Sequence, residues 1–434
     1  MVTHGKHHTR DKINSSLLSV DQRKIELFTG RREKVDLTAR GGSCLLTERK
    51  HKKMKHHMYN PEFKFVVEPE HFDKYTDREL LQYCPGATMY MPGFKDFTPK
   101  ILNHSMPGLT TMVLCFEDAC PEEKVPEAME NVHHLLASVT QAVDDGKLNP
   151  DFVPLIFVRI RNLEQFKAFG DKLTKEEVRS LCGINFPKFN ANNGYEYYAY
   201  LRDLNNRFGE VIYGMPIIED AEVAYKESRM EQLLGIKKIL DKYKDIVLQV
   251  RVGGTDFSSV FGVRRGVDYS LYDIMTVREC LSDIINVCGR NNDYVISGPV
   301  WEYFRAPKEL MFEELPHHGI EDYLMRRQPL VNNEIDGLLR EVILDKANGF
   351  VGRTVIHPTH VKFVNALMAV TKEEYDDACQ ILGTGGGVVK GSGGNKMNEI
   401  KPHTNWAKKV YNRARAFGVI ENESEFVKLF AVNE

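Results

Sequence analysis

The stretch Val211-Ile-Tyr-Gly-Met-Pro-Ile-Ile-Glu-Asp220 carries the clearest architectural signal in this chain, because an almost uninterrupted apolar run ends in two acidic residues. Such a run is typical of a β-strand that is covered on both faces, as strands are in parallel sheets. The segment that follows, residues 222–244, has the apolar spacing of an amphipathic helix. We therefore interpret residues 211–244 as one β-α unit with polar residues at the carboxyl end of its strand.

The same unit repeats along the chain, with helix-like segments also at residues 267–287 and 333–347. Sequential β-α units imply parallel strands, and eight of them predict an α/β fold of the TIM type, a (β/α)₈ barrel. A doubly wound open sheet is the alternative, but it needs a Gly-rich turn that Pro92-Gly93 and the following residues do not supply. The predicted strands cover residues 87–91, 110–116, 155–160, 181–186, 211–218, 246–252, 294–299 and 353–356.

Composition narrows the class of protein. The 434 residues are 42% hydrophobic and 27% charged, with a net charge of −3, which argues against a chain-wide binder of nucleic acid or membrane surfaces. No apolar run approaches the roughly 18 residues of a membrane span. The eight cysteines are scattered without a Cys-x-x-Cys pair, which favours a reducing, cytoplasmic location.

Charge and glycine content predict three regions. Residues 1–58 hold fourteen Lys or Arg and six Asp or Glu, a net charge of +8, so the remainder carries −11. We expect residues 1–58 to be a disordered basic extension without a signal peptide, with an RNA- or anion-binding arm as the alternative. Residues 59–375 form the predicted barrel. Residues 376–434 form a Gly-rich hinge, rather than a phosphate loop, and a C-terminal helical lid with a helix at 406–416.

Charged residues follow most of the predicted strands. In a (β/α)₈ barrel the working residues stand at the carboxyl ends of the strands, so we expect these side chains to meet at one rim. A rim that gathers so many acids and bases is costly unless it binds something that balances their charge. In chain order the residues are Glu117 and Asp118, Arg159 and Arg161, Lys188, Glu219 and Asp220, Asp256, and His357.

Four carboxylates at one rim would repel each other, and a hard divalent cation relieves that repulsion. Two carboxylates and water suit Mg²⁺, or Mn²⁺, better than Zn²⁺, which prefers His and Cys. We predict that Glu219 and Asp256 bind the metal, and that Glu117 and Asp118 orient its water molecules. The alternative for each acid is a helix cap, which for Asp118 and Asp220 is as good an interpretation.

Arg159 supplies the second half of the predicted chemistry. A guanidinium beside a metal can hold a carboxylate or stabilise an enolate oxygen, which is what cleavage of a carbon–carbon bond next to a carbonyl requires. Arg161 is the alternative, and a structural ion pair is a second alternative for either arginine. His357 is interpreted as a substrate ligand or as a buried residue that holds its loop, with the structural role preferred.

Seven segments together resemble the motifs of one family. They occur in the family's order over roughly residues 87–410, and the family is that of the citrate lyase β-subunit and malyl-CoA lyase aldolases. The nearest resemblance is to a divergent branch of carbon–carbon bond lyases encoded beside tellurite-resistance and stress genes. The segments are Tyr90-Met-Pro-Gly93, Leu114-Cys-Phe-Glu-Asp-Ala-Cys-Pro-Glu-Glu-Lys124, Val158-Arg-Ile160, Phe186-Pro-Lys188, Ile218-Glu219, Gly254-Thr-Asp256 and Gly352-Arg-Thr-Val-Ile-His-Pro358.

The resemblance implies an oligomeric TIM barrel that binds Mg²⁺ through Glu219 and Asp256 and places Arg159 on the keto acid or enolate. It also implies that Pro92, Gly93 and Lys188 lie near the substrate, which in this family is often an acyl-CoA. A neighbouring subunit supplies a catalytic Asp in the family. The corresponding segment here, Met397-Asn-Glu-Ile-Lys-Pro-His403, offers Glu399 as the acid/base.

Two departures from the family leave the involvement of CoA open. The arginine that often begins the first strand is replaced by Gly86-Ala87, and a long insert covers about residues 305–332. We therefore predict a cytoplasmic homo-oligomer that cleaves or forms a carbon–carbon bond in a hydroxy acid or its CoA thioester, without membrane or nucleic-acid partners. The alternatives are a phosphoenolpyruvate-type transferase or mutase, and a non-catalytic barrel that binds a partner in a stress-response cluster.

Overall fold

The computed structural model describes residues 54–305, 324 and 330–430. Residues 1–53 of the predicted extension and most of the predicted insert lie outside this range. The described residues form two compact units. One contains the barrel, with the residues up to Tyr375 and those from Lys409 onward, and the other is Asp376–Lys408.

The predicted barrel is confirmed. Eight parallel strands pair in the order β7-β6-β5-β4-β3-β2-β1-β8, and backbone hydrogen bonds between Gly298 and residues 352 and 354 join β7 to β8. In β2 to β5 every residue is buried, because helices cover one side of these strands and the barrel interior the other. The strands are β1 Ala87–Pro92, β2 Thr111–Cys115, β3 Leu155–Arg159, β4 Leu181–Phe186, β5 Tyr213–Ile218, β6 Val250–Val252, β7 Ile296–Ser297 and β8 Arg353–Val355.

Helices alternate with these strands, and four further short strands and several helices follow β8 in the sequence. Among the described helices, none has the length and apolar character that a bilayer crossing requires. The helices are α1 Arg78–Leu81, α2 Thr98–Leu102, α3 Val125–Asp144, α4 Leu163–Gly170, α5 Lys175–Ser180, α6 Gly194–Phe208, α7 Ala221–Ala224, α8 Lys226–Lys242, α9 Gly254–Val260, α10 Met275–Cys288, α11 Asn333–Ala347, α12 Pro358–Met368, α13 Lys372–Gly383, α14 Ile400–Phe417 and α15 Glu425–Phe430. The remaining strands are β9 Val370–Thr371, β10 Val388–Lys390, β11 Met397–Glu399 and β12 Val419–Ile420.

The helix predicted at residues 222–244 is two helices, α7 and α8. Tyr225 between them has an extended backbone (φ −73°, ψ 130°). The buried guanidinium of Arg229 in α8 donates hydrogen bonds to the carbonyl oxygens of Val223 and Ala224, at 2.9 and 2.7 Å. The carbonyl groups exposed by the break are thus satisfied by a side chain, which the apolar spacing of the sequence could not reveal.

Residues 54–58, at the end of the predicted extension, pack beneath the barrel. His56 Nε2 lies 2.9 Å from the Cys84 carbonyl oxygen, and its ring stacks on Phe417 at 4.3 Å between centroids. His57 Nε2 lies 3.1 Å from the Phe417 carbonyl oxygen. Burial lowers the pKa of His56 to about 3, so that this ring is neutral near pH 7.

The glycine-rich segment of Asp376–Lys408 forms a β-hairpin. Strands β10 and β11 pair antiparallel, with Lys390 opposite Met397. The connection between them is held by Asp377, whose carboxylate accepts a hydrogen bond from the Ser392 backbone N–H at 2.7 Å and pairs with Lys396 Nζ at 2.8 Å. The predicted helix 406–416 lies within α14.

Candidate active site at the barrel mouth

Arg159, the last residue of β3, forms ion pairs with three of the predicted acids. Its side chain is buried, with 6% exposure for the residue. Nη1 lies 3.0 Å from Asp118 Oδ2, and Nη2 lies 2.8 Å from Glu117 Oε2 and 2.9 Å from Glu219 Oε1. Burial lowers the pKa of Arg159, but Glu219 and Glu117 more than offset this and raise it above its usual value. The guanidinium is therefore a fixed positive charge inside the mouth.

Glu219 directly follows β5 and is 4% exposed. Its Oε1 also accepts a hydrogen bond from the Lys188 backbone N–H at 3.1 Å. Burial raises the pKa of Glu219 to about 7; Arg159 opposes this rise, and the nearby charge of Asp256 adds to it. Gly253 is required next to this carboxylate, because a Cβ atom there would lie 2.1 Å from Glu219 Oε2.

Lys188 connects Asp256 to this group of side chains. Its Nζ lies 2.6 Å from Glu117 Oε1 and 3.7 Å from Asp256 Oδ1. Asp256 itself stands in the first turn of α9, beyond the end of β6. Thus Arg159, Lys188, Glu117, Asp118, Glu219 and Asp256, which we call the mouth cluster, come from the ends of five strands and meet as the sequence predicted.

The donor set of the mouth cluster fits a hard divalent cation. Glu219 and Asp256 offer only carboxylate oxygens, the ligands that hard divalent cations prefer. Burial is the main cause of the raised pKa of Glu219, and the charge of Asp256 adds to it. In the described part of the chain, no group of three or more His, Cys, Asp or Glu side chains is arranged to hold a metal ion. A metal held by Glu219 and Asp256 would therefore take its remaining ligands from water and substrate oxygen atoms.

Three other predicted residues have structural partners. Asp220 caps α7, where its Oδ1 accepts a hydrogen bond from the Glu222 backbone N–H at 2.9 Å. Arg161 donates to the carbonyl oxygens of Phe116 and Cys120, at 3.2 and 2.8 Å. His357 caps α12 and stacks on Phe304 at 4.4 Å between centroids, and burial lowers its pKa. The contacts of Asp220 and His357 agree with the structural alternatives considered for them, whereas Arg161 contacts carbonyl oxygens rather than the acid expected for an ion pair.

Pro92 ends β1, and Gly93 continues the pairing with β2 by donating its backbone N–H to the Cys115 carbonyl oxygen at 2.9 Å. A Cβ atom at Gly93 would lie 2.9 Å from the Phe116 ring, so glycine permits this close approach.

Glu399 ends β11 in the other unit, where its backbone N–H donates to His403 Nδ1 at 3.0 Å.

The floor of the mouth contains polar residues that the sequence analysis missed. The Tyr90 ring centroid is 6.0 Å from the guanidinium of Arg159 and 5.7 Å from that of Arg251. Asn185 donates to the Tyr90 hydroxyl at 2.6 Å. Arg251 is almost fully buried and donates to Thr88, Gln249 and Thr354. The sequence does carry a signal for Asn185 and Arg251, because each is a polar residue inside an otherwise apolar strand.

Comparison with solved structures gives matches of low sequence identity. The protein CitE from Mycobacterium tuberculosis in complex with magnesium, acetoacetate and coenzyme A is 17% identical, covering 77% of this chain and 99% of that one, with a TM-score of 0.46. The citrate lyase β-subunit from M. tuberculosis complexed with oxaloacetate and magnesium is 16% identical over 65% of this chain and 95% of that one, with a TM-score of 0.39. The malate synthase of Haloferax volcanii in its magnesium/glyoxylate complex is 12% identical, covering 76% and 88%, with a TM-score of 0.45.

No curated protein matches the chain. A family model described as a carbon–carbon bond lyase of the TIM-barrel fold matches residues 79–419, which is well over half of the sequence. Those residues include every strand of the barrel and all six members of the mouth cluster. This chain belongs to the carbon–carbon bond lyase family of the TIM-barrel fold.

Proposed function

We propose that this protein is a divalent-metal-dependent lyase or aldolase that cleaves a hydroxy acid, or its CoA thioester, and releases a keto acid, or catalyses the reverse condensation. The observation that supports this proposal is the buried Arg159 guanidinium surrounded by carboxylates at the carboxyl ends of the barrel strands. Cleavage next to a carbonyl places negative charge on oxygen in the transition state, and a buried, preorganised cation stabilises that charge.

Arg159 Nη1 is the atom that we assign to the substrate. Glu117 and Glu219 both hold Nη2 and are buried, whereas Nη1 is held by Asp118, whose side chain is 59% exposed. An anionic carboxylate or enolate oxygen can therefore replace Asp118 at Nη1 while the rest of the guanidinium stays fixed. Such charge-assisted hydrogen bonds are among the stronger polar contacts in proteins.

Glu219 and Asp256 are the residues that we propose as ligands of Mg²⁺, with Mn²⁺ as the alternative ion. When bound, the metal would act as a Lewis acid toward the substrate oxygen. Glu117 would stay in place, since Arg159 Nη2 and the Asp118 backbone N–H both donate to this carboxylate, each at 2.8 Å. Its role is to orient water around the ion rather than to bind it directly.

Glu399 is the acid/base that we propose from the family resemblance. In that arrangement it would reach the active site of a neighbouring subunit, so the enzyme would act as a homo-oligomer. We also place the protein in the cytoplasm, because the scattered cysteines without a Cys-x-x-Cys pair suit a reducing compartment.

The proposal is tested by incubating purified protein with 3-hydroxy acids and their CoA thioesters, with Mg²⁺ or with EDTA, and measuring keto-acid release. We expect product only with metal, and at least a 100-fold lower rate for Glu219→Gln and for Asp256→Asn. Asp245→Asn is the control, because Asp245 forms an exposed ion pair with Arg202. Turnover that is unchanged in EDTA, or a complete lack of keto acid from every candidate, would overturn the proposal.

A further inference from the structure

Lys188 has an unusual backbone conformation for a lysine. It follows β4 with a φ of +46°, in the left-handed region that non-glycine residues rarely adopt. Two contacts hold the turn in place. The Lys188 backbone N–H donates to Glu219 at 3.1 Å, and its carbonyl oxygen accepts from Asn193 Nδ2 at 2.9 Å. Such conformations persist only where the surroundings enforce them, and they are frequent at functional sites.

This turn places the ammonium group of Lys188 among the carboxylates of the mouth cluster. Nζ is 2.6 Å from Glu117 Oε1 and 3.7 Å from Asp256 Oδ1. Within the described residues, Lys188 is the one cation that lies within 4.0 Å of Asp256. Asp256 is thus neutralised by a side chain that belongs to a different strand end.

Lys188 differs from the second cation of the cluster in its freedom to move. Its side chain is 49% exposed, whereas the Arg159 side chain is 8% exposed and is held by three carboxylates. A lysine stem has four rotatable bonds, and its ammonium makes no fixed planar contacts. Lys188 can therefore leave Asp256 without disturbing Arg159 or Glu219. Glu117 would lose the Lys188 contact but keep the Asp118 backbone N–H and Arg159 Nη2 as donors, both at 2.8 Å.

We propose that Lys188 is a resident cation, which occupies the gap between Glu117 and Asp256 in the metal-free protein and withdraws from Asp256 when a divalent ion binds there. After withdrawal its ammonium faces the open mouth, where it would contact an anionic group of the substrate. This inference rests on the proposed function, since it takes Asp256 to be a metal ligand.

The proposal predicts that removing the Lys188 charge tightens metal binding. A positive charge a few ångströms from the ion competes for Asp256 and repels the metal, so its loss would lower the Kd for MgCl₂ by about 10-fold. Lys188→Asn is the first variant, because asparagine tolerates a left-handed backbone, and Lys188→Met is the second. Both Kd values are measured by isothermal titration calorimetry with MgCl₂ alone, in the absence of substrate.

Thermal unfolding supplies a second readout. In EDTA we expect Lys188→Asn to have a lower Tm than wild type, because Asp256 then lacks its counter-charge. In saturating MgCl₂ we expect this difference to disappear or change sign. A lysine that serves only to hold the turn would instead lower Tm equally with and without Mg²⁺. Lys124→Gln is the matched control, since Lys124 is 47% exposed and pairs with Glu127 at 2.8 Å.

The outcomes separate this inference from the proposed function. If wild-type protein binds no Mg²⁺ or Mn²⁺, the proposed metal site is wrong, and the resident-cation role falls with it. If wild type binds Mg²⁺ while both Lys188 variants keep the wild-type Kd and the same Tm difference in EDTA and in MgCl₂, the role of Lys188 alone is overturned. Weaker binding in both variants would also overturn it.

Discussion

Two arginine–carboxylate clusters lie in this barrel, and they differ mainly in how far water reaches them. The mouth cluster includes side chains that are 30–59% exposed, namely those of Asp256, Lys188 and Asp118. The second cluster, which we call the helix cluster, comprises Arg265, Arg353, Glu341 and Asp345, with side chains that are 0–1% exposed. Glu341 and Asp345 lie on α11, and Arg353 begins β8 at the end of the strand opposite the mouth.

The comparison shows that residue type alone does not distinguish a binding site from a structural ion network. In the helix cluster Glu341 pairs with both Arg265 and Arg353, and the Tyr272 hydroxyl donates to Asp345 at 2.7 Å. Every charge there is enclosed by protein, so no ligand can take the place of a partner. In the mouth cluster the partners Asp118, Lys188 and Asp256 are partly exposed, so the metal and substrate that we propose could replace them.

The largest expected effect is on the helix cluster. Glu341→Gln leaves two buried guanidinium groups without their shared counter-charge, and we expect a loss of about 3–5 kcal/mol in the free energy of unfolding. Urea denaturation followed by circular dichroism measures this loss. Asp245→Asn, which removes an exposed ion pair, should cost about 1 kcal/mol or less. A similar small cost for both variants would contradict the structural role of the helix cluster.

Arg159→Met tests whether the mouth cluster acts in catalysis, whereas Glu341→Gln tests whether the helix cluster acts in stability. Because Arg159 is assigned to the developing negative charge, we expect keto-acid release to fall by about 100-fold or more. The rate is measured with the substrate identified by the screen, and unfolding is measured in parallel. Arg202→Met, which changes a half-buried arginine outside the mouth cluster, should keep the wild-type rate. An Arg159→Met enzyme within a few-fold of wild type would remove Arg159 from the reaction.

The pH dependence of stability provides a third test. Burial raises the pKa of Asp345 to about 7, and the charge of Glu341 adds to this while Arg353 opposes it. The folded protein therefore keeps this proton above pH 4, where the unfolded chain releases it. The stabilisation that comes from this bound proton is complete below about pH 4 and is lost as the pH rises through 7. Over that range the free energy of unfolding falls by up to about 1.4 kcal/mol per pH unit. Asp345→Asn should flatten that slope, and parallel wild-type and variant curves between pH 5 and 8 would disprove the assignment.

Asp118→Asn should give the smallest effect. Asp118 is the exposed partner of Arg159, so its loss should change the free energy of unfolding by less than about 1 kcal/mol. In this variant the substrate does not have to displace a carboxylate from Arg159 Nη1. We therefore expect KM to fall by a few-fold while kcat changes little. Steady-state kinetics with the identified substrate checks this, and a large loss of stability would show that the mouth is as rigid as the helix cluster.

Much of the architecture could be predicted, because each strand of a parallel barrel is buried on both faces and therefore forms a continuous apolar run in the sequence. The predicted strand 181–186 and helix 333–347 have the observed bounds, and the other strands agree to within a few residues except β6 and β7, which are shorter than predicted. The convergence of Arg159, Glu219 and Asp256 could be predicted because each follows a strand, and the carboxyl ends of all eight strands of a (β/α)₈ barrel face one side.

What could not be predicted depends on contacts between distant segments. The break at Tyr225 is satisfied by Arg229, and the left-handed turn at Lys188 is held by Glu219. Arg251 and Asn185 stand inside apolar strands, and their partners Thr354 and Tyr90 lie on other strands of the barrel. No local pattern of hydrophobic and polar residues carries this information.

Hydrophobic periodicity along the chain was enough to specify the order of strands and helices and the rim where charged residues collect, because each element buries its own apolar face. Which acid pairs with which base, and how exposed each pair is, emerged only when the barrel closed. Electrostatic energies vary steeply with distance and with burial, and both quantities depend on residues that are far apart in the sequence. The same two residue types therefore form a partly exposed cluster at the mouth of the barrel and a closed ionic network beside its first and last strands.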